Sequence, residues 1–372
     1  MSDTINIPSD LLPADGRFGC GPSKIRPEAV EALAASTGYL GTSHRQAAVL
    51  FEVGALRNAV AELFSLPDGY EVLIGNGGST LFWDAATFGL IRERSQHLVF
   101  GEFSSKFFSA SKAAPFLGDP SKVESEVGTH PVSVAEDGID LYAMTHNETS
   151  TGVAMPLTRP AGIAADALVA VDATSGAGGL RVDMNEVDVY YFAPQRCLAS
   201  DGGLWIAACS PRAIERIEQI RASGRWTPAM LDLGIALDNS RKDQTYNTPA
   251  LATVFLANQQ IRWVLDNGGL EFAAGRCDAS AQTLYGWADT HELATPFVTD
   301  AAMRSHVVAT IDFAGTVDAK RLAAVLRANG IVDVEPYRKL GRNQLRVAMF
   351  PAVDPEDVSA LTACIDWVVA QG

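Results

Sequence analysis

The chain lacks any run of about eighteen consecutive apolar residues, which excludes a membrane-spanning helix. It has no CxxC pair and no Cys/His spacing that suits a metal. Its five cysteines, Cys20, Cys197, Cys209, Cys277 and Cys364, are odd in number and scattered, so reduced thiols are expected and no metal. Cys197 reads as a small core residue. Positive charge is scarce: 29 Lys and Arg against 44 Asp and Glu leave a net charge of −15. Such a balance repels nucleic-acid phosphates and anionic lipid, so neither nucleic acid nor a membrane is an expected partner. Low-complexity tracts, internal repeats and long charge runs are missing too, and with 47% hydrophobic and 20% charged residues the chain should fold almost throughout. The opening MSDTINIPSDLLPADG has neither the basic nor the apolar region of a signal peptide, and the expected location is the cytoplasm.

What is present is an alternation of helix and strand patterns over 372 residues, too many for one core, so two domains are expected. RPEAVEALAAS carries Pro27 near a helix start, and Val49, Leu50, Val53, Leu56, Val60, Leu63 and Phe64 follow the spacing of one helix face. EVLIG, HLVFG, LYAMTHN, ALVAVDAT and VDVYYFA then read as short buried strands of a largely parallel sheet, followed by LWIAACS. In such sheets ligands gather at the carboxyl ends of the strands. PRAIERIEQIRASG and TPALATVFLANQQIRWVLDNGG read as helices, the second ending at Gly268 and Gly269. The last third alternates HVVATIDF, DAKRLAAVLRANGI, QLRVAMF and DPEDVSALTACIDWVVAQ, which implies a small α/β domain.

Several polar constellations fall at the expected strand ends. In GNGGST (75–80) the glycines let backbone approach an anion, and the N–H groups of a following helix, with the Ser79 and Thr80 hydroxyls, form a phosphate cradle; a plain strand-to-helix turn is the competing reading. In VDAT, Asp172 ends a buried strand and needs a partner: a protonated pyridine nitrogen, a helix cap or an internal salt bridge. His44-Arg45 is expected to open a helix, and Arg338, Arg342 and Arg346 to cluster near a strand. In so acidic a chain these suggest a small substrate carrying two or three negative charges, although each alone reads as a surface ion pair. A nicotinamide-dependent enzyme would rest on GNGGS alone and leave the arginines unexplained.

GPSKIRP, SHR, GNGGST, HNETSTG, VDAT, APQ, SDGGLW, QTYNTP and LRVAMFP occur in this order, and with them the chain resembles the phosphoserine aminotransferases, in particular the actinobacterial type. The resemblance covers essentially the whole chain. It implies an α/β fold of the fold-type I kind dependent on pyridoxal 5′-phosphate (PLP): a large domain, residues 17–262, with a mainly parallel sheet flanked by helices, and a small domain of residues 1–16 and 263–372. It implies a homodimer with shared sites, converting L-glutamate and 3-phosphohydroxypyruvate to 2-oxoglutarate and O-phospho-L-serine in serine biosynthesis. By the same resemblance Gly78, Ser79 and Thr80 hold the cofactor phosphate with Gln195 and, from the partner subunit, Asn247 and Thr248. Phe103 stacks on the pyridine ring, Thr149 bonds its phenolic oxygen and Asp172 keeps its nitrogen protonated. His44 and Arg45 clamp the substrate phosphate or the glutamate side chain, and Arg346, with Arg338 nearby, takes the α-carboxylate.

One position departs from the family. A lysine follows APQ there, forms the Schiff base and shuttles a proton; here the residue is Arg196. A guanidinium with a pKa above about 12 is neither a competent amine for that bond nor a usable general base. Activity is therefore expected to be lost or strongly impaired, with PLP bound non-covalently. Two accounts stay open, an aminotransferase with one residue exchanged and a disabled homologue kept as a ligand binder. The intact remainder of the site favours the first. Another fold-type I activity, such as a glyoxylate aminotransferase, is disfavoured by the two sets of arginines.

Overall fold

The computed structural model describes residues 5–371. Its strands are β1 (Glu71–Asn76), β2 (Ser95–Val99), β3 (Ser121–Glu124), β4 (Leu141–Thr145), β5 (Asn147–Glu148), β6 (Val153–Ala154), β7 (Leu168–Asp172), β8 (Val189–Phe192), β9 (Leu204–Cys209), β10 (Ala294–Pro296), β11 (Val308–Phe313) and β12 (Gln344–Ala348). The helices are α1 (Pro27–Ala35), α2 (Ala47–Leu63), α3 (Ser79–Gly89), α4 (Glu102–Ala113), α5 (Pro211–Ala222), α6 (Leu233–Ser240), α7 (Leu251–Asp266), α8 (Gly269–Thr290), α9 (Ala319–Ala328) and α10 (Pro355–Ala370). None of them is long and apolar enough to cross a membrane.

Seven strands form the main sheet in the order β1-β9-β8-β7-β4-β2-β3. The β2–β3, β2–β4, β4–β7 and β7–β8 pairs are parallel, while β9 runs antiparallel to both β8 and β1. Strands β2, β4, β7, β8 and β9 are buried at every residue, as expected of a sheet covered on both faces. Alternate residues serve opposite faces. Val72, Ile74, Val169, Val171, Tyr190 and Phe192 pack with α2 and α7, whereas Leu73, Leu168, Ala170, Val189 and Tyr191 pack with α3, α5 and α6. Phe82 of α3 stacks on Tyr191 with ring centroids 4.3 Å apart, which fixes the start of α3 above the sheet edge.

A second core surrounds the three-stranded sheet β10-β11-β12 with α9, α10 and the end of α8. Ile7 and Phe18 belong to this core, and the Phe18 N–H donates to the Val332 carbonyl, so the N-terminal segment packs with the C-terminal unit. Helix α8 has no counterpart in the sequence reading. Its buried face is mostly small, with Ala273, Ala274, Cys277, Ser280 and Ala281, and carries little periodic hydrophobic signal. His44-Arg45 is a correction: α2 begins at Ala47, and the two residues lie in a turn closed by the Gln46 N–H donating to the Ser43 carbonyl.

Candidate active site

Strands β1, β2, β4, β7 and β8 run in one direction, so the residues after them converge on one edge of the sheet. Gly78, Ser79 and Thr80 follow β1, Phe103 follows β2, Thr149 follows β4, Asp172 ends β7, and Gln195 and Arg196 follow β8. All eight line one cavity of about 120 Å³, together with Trp83, Thr145, Asn147, Thr174 and Ser175. Helix α3 points its N-terminus at this space. Its first N–H groups have no intrahelical acceptor, and a β-carbon on Gly78 would stand in open space, so the cradle has room for an anion.

Asp172 is 6% exposed. Its Oδ1 accepts from the Thr174 N–H (2.9 Å) and hydroxyl (2.6 Å), and its Oδ2 accepts from the Trp83 indole (2.9 Å). These donors are neutral. Burial pushes the carboxyl above its usual range, opposed by the Thr174 and Trp83 hydrogen bonds and by the charge of Arg196. Among the described residues no cation ion-pairs with it, so the salt-bridge reading fails and the carboxylate faces a cavity that can supply a positive partner. Ser79 Oγ lies 2.5 Å from Thr174 Oγ1, which links the anion cradle to the carboxylate.

Phe103 is held by a residue that motif reading missed. The buried Glu148 accepts from the N–H groups of Phe103 (3.3 Å) and Ser104 (2.8 Å) and from the Ser150 hydroxyl (2.7 Å), a carboxylate at the N-terminus of α4. Thr149 and Asn147 both bond Ser175 Oγ, at 2.7 and 2.8 Å. Trp83 was legible in hindsight as the residue one turn after Ser79. Glu148 gave no signal beyond lying inside HNETSTG, and Ser175, just after VDAT, gave none.

Arg196 does not project freely. Its Nη1 donates to the Cys20 carbonyl and its Nε has no partner. The guanidinium lies against Gly21, where φ is +136° and a β-carbon would fall on it, so only glycine fits. Burial pulls its pKa down. Arg346, on β12, reaches the same region: Nη1 donates to the Thr149 carbonyl (3.1 Å), Nε is unpartnered, and the guanidinium lies 5.4 Å from the Tyr337 ring centroid. Tyr337 in turn meets Phe103 at 5.8 Å.

Other expected residues lie apart from the cavity of their own chain. Asn247 and Thr248 are exposed and gather at Asn76, which ends β1: Asn76 Nδ2 donates to the Thr248 carbonyl (2.8 Å), and Thr248 Oγ1 lies 3.2 Å from His44 Nδ1. Arg45 is exposed, and neither its guanidinium nor that of Arg338 has an ion-pair partner among the described residues. The expected grouping of Arg342 with Arg338 and Arg346 is corrected, because Arg342 is paired with Asp312.

The family model for aminotransferase class-V matches residues 18–335. A phosphoserine aminotransferase of Nocardioides sp. is 64% identical over 371 residues, covering 99% of each chain. The chain belongs to the phosphoserine aminotransferase family. A second family member, from Rhodococcus jostii, is 61% identical over 100% of both chains. Among solved structures, phosphoserine aminotransferases from Cytophaga hutchinsonii (TM-score 0.86, 23% identity, 95% of this chain and 99% of that one) and Bacillus circulans subsp. alkalophilus (0.83, 22%, 96% and 99%) share the fold. A PLP-bound phosphoserine aminotransferase from Trichomonas vaginalis shares it as well, with a TM-score of 0.79 at 18% identity.

Proposed function

We propose that the cavity holds PLP and that the chain recognises the substrates of phosphoserine transamination, L-glutamate with 3-phosphohydroxypyruvate, or O-phospho-L-serine with 2-oxoglutarate. The observation that carries this is the pairing of two ends. An open glycine cradle at a helix N-terminus faces a buried carboxylate that has only neutral partners. A phosphate suits the first and a pyridinium the second. When bound, the cofactor supplies the electron sink that lets an amino group pass between an amino acid and a 2-oxo acid.

The chain's residues then take defined tasks. Gly78, Ser79 and Thr80 bind phosphate oxygens with Gln195, Asp172 holds a proton at the pyridine nitrogen, Phe103 covers the ring and keeps water off it, and Thr149 bonds the phenolic oxygen. Arg346, with Arg338, orients the substrate α-carboxylate. Arg196 has no proton to give up near neutral pH and no free amine, so no group at this position moves the proton on the substrate carbon, and turnover is strongly impaired.

The site is shared across a homodimer in this reading. Phe51 on α2 is 67% exposed and Tyr246 is 48% exposed, and the exposed Arg45, Asn247 and Thr248 offer donors that their own cavity does not use. A two-fold partner covers this face and brings His44, Arg45, Asn247 and Thr248 to the neighbouring cavity. Equilibrium dialysis of PLP tests the cofactor reading. Saturable binding that Asp172→Ala weakens by at least about tenfold is expected; absent binding, or binding indifferent to Asp172, sinks it.

A further inference from the structure

Two arginine N–H groups at the cavity, on Arg196 and Arg346, are buried without a partner. Arg196 and Arg346 each spend one Nη1 on a backbone carbonyl, that of Cys20 and that of Thr149. Each keeps a buried Nε–H without an acceptor. Neither has an ion-paired carboxylate among the described residues, in a chain whose acids outnumber its bases by 44 to 29. The two meet at one cavity: Arg196 lines it, and Arg346 bonds the carbonyl of Thr149, which lines it too. Buried N–H donors left unpaired are costly, and two of them on guanidinium groups without an ion-paired acid call for an anionic acceptor.

We propose that Arg196 and Arg346 form a paired guanidinium receptor for the carboxylate and adjacent carbonyl of a 2-oxo acid, which makes the site selective for 2-oxo acids over the corresponding amino acids. A 2-oxo acid presents three acceptor oxygens on adjacent carbons, to which planar guanidinium forks are matched. An amino acid held by its α-carboxylate sets an ammonium group beside the same two cations. A lysine at position 196 could relieve that repulsion by giving up its proton; an arginine cannot. Like charges brought together in a partly dry site disfavour the ligand strongly. Arg196 thus replaces a reactive group with a selectivity element. The inference rests on the PLP reading for the ligand's placement, and on the two arginines alone for the preference.

Isothermal titration of 2-oxoglutarate, glutarate and L-glutamate into the full chain, PLP-saturated and PLP-free, tests it. In the PLP-free chain, where no cofactor aldehyde can condense with the glutamate amine, 2-oxoglutarate should bind at least about tenfold more tightly than L-glutamate, with glutarate between them; with PLP bound, 2-oxoglutarate should still bind more tightly than glutarate. Arg196→Gln should weaken 2-oxoglutarate by at least about tenfold and bring the two affinities together. Equal affinities in the parent chain, or a preference unchanged in Arg196→Gln, would overturn the receptor. Should Arg196→Gln fail to fold, Arg196→Lys titrated without PLP keeps the charge and loses the fork, and must still weaken 2-oxoglutarate. Failure of PLP to bind would remove the cofactor reading while the PLP-free titrations still decide the preference.

Discussion

Replacing Arg196 with lysine separates what the scaffold supplies from what the side chain withholds. In the parent chain the guanidinium lies on Gly21 and is tied to the Cys20 carbonyl, on the wall of a cavity otherwise lined by phosphate-type donors, an aromatic ring and Asp172. Lysine is shorter and has no fork. It gives up the Cys20 contact and presents an amine that can both bond the cofactor and carry a proton. A positioned acid/base contributes about 10² to 10⁴ in rate and a covalent nucleophile adds to it, so Arg196→Lys should raise turnover of L-glutamate with 3-phosphohydroxypyruvate by more than about 10³. That gain is a barrier lowered by about 4 kcal/mol. A coupled assay of 2-oxoglutarate formation measures it. Borohydride reduction followed by peptide mass analysis should find a pyridoxyl adduct at position 196 in the lysine variant and nowhere in the parent. The reasoning is refuted if the parent turns over within about tenfold of the variant, or if its adduct appears on Lys106. That amine sits 4.9 Å from the Phe103 ring centroid and 5.8 Å from that of Trp83, but does not line the cavity.

Three further outcomes are expected. In the lysine background, Arg45→Ala should cost phosphoserine about 3 to 5 kcal/mol in kcat/KM and serine far less, since a charge pair buried once the partner subunit covers Arg45 loses one partner and is left uncompensated; equal losses would make Arg45 structural. His97 and His146 are buried, and burial lowers their pKa to about 3 and about 4, so both contribute stability that is full above the ordinary value near 6.5 and is lost as pH falls toward those folded values. Moving from pH 7 to about 4.5 should therefore cost about 2 to 3 kcal/mol per histidine, and His97→Asn should flatten the urea-midpoint slope; an unchanged slope counts against this origin. Finally, in the lysine background, co-refolding inactive Asp172→Ala with inactive Asn247→Ala, Thr248→Ala should recover up to about a quarter of the activity, half the dimers being mixed with one whole site each. No recovery from dimers shown to be mixed would confine each site to one chain.

The sheet strands and the cavity residues were legible because the signals are local. A buried strand that ends in a polar or glycine-rich turn fixes where Gly78 and Asp172 emerge, whatever the rest of the chain does, while Gln195 was named through the family resemblance. Elements whose packing depends on distant partners were not. Strand β3, SKVE, alternates half-buried and exposed residues at the sheet edge and looks like loop. Helix α8 is held by close approach of small residues, which hydrophobic periodicity does not register. The same split runs through the site. Asp172 could be named from its place at a strand end and Thr149 only through the family resemblance, but the Trp83 indole on Asp172 and Glu148 beneath Phe103 are contacts across 89 and 45 positions of sequence. Arg338, Arg342 and Arg346 looked alike as letters. Only the fold shows that Arg342 is taken by Asp312 while Arg346 keeps an unused Nε–H beside the cavity.

This division also explains how so large a chemical change at position 196 is compatible with an intact site. The groups that hold the cavity in shape form closed networks that do not pass through residue 196: Ser79 to Thr174 to Asp172 to Trp83, Asn147 and Thr149 to Ser175, and Glu148 to the start of α4. Arg196 bonds backbone at Cys20 and fills a space left by the missing side chain of Gly21, so its accommodation draws on the N-terminal segment and leaves the cavity floor alone. The backbone of residue 196 has its own fixed partners, with Ser23 Oγ (2.7 Å) and the Ala199 N–H both donating to its carbonyl. Position and side chain are thus separable. The turn after β8 is set by main-chain hydrogen bonds, and what projects from it decides between making a bond to the cofactor and binding an anion beside it.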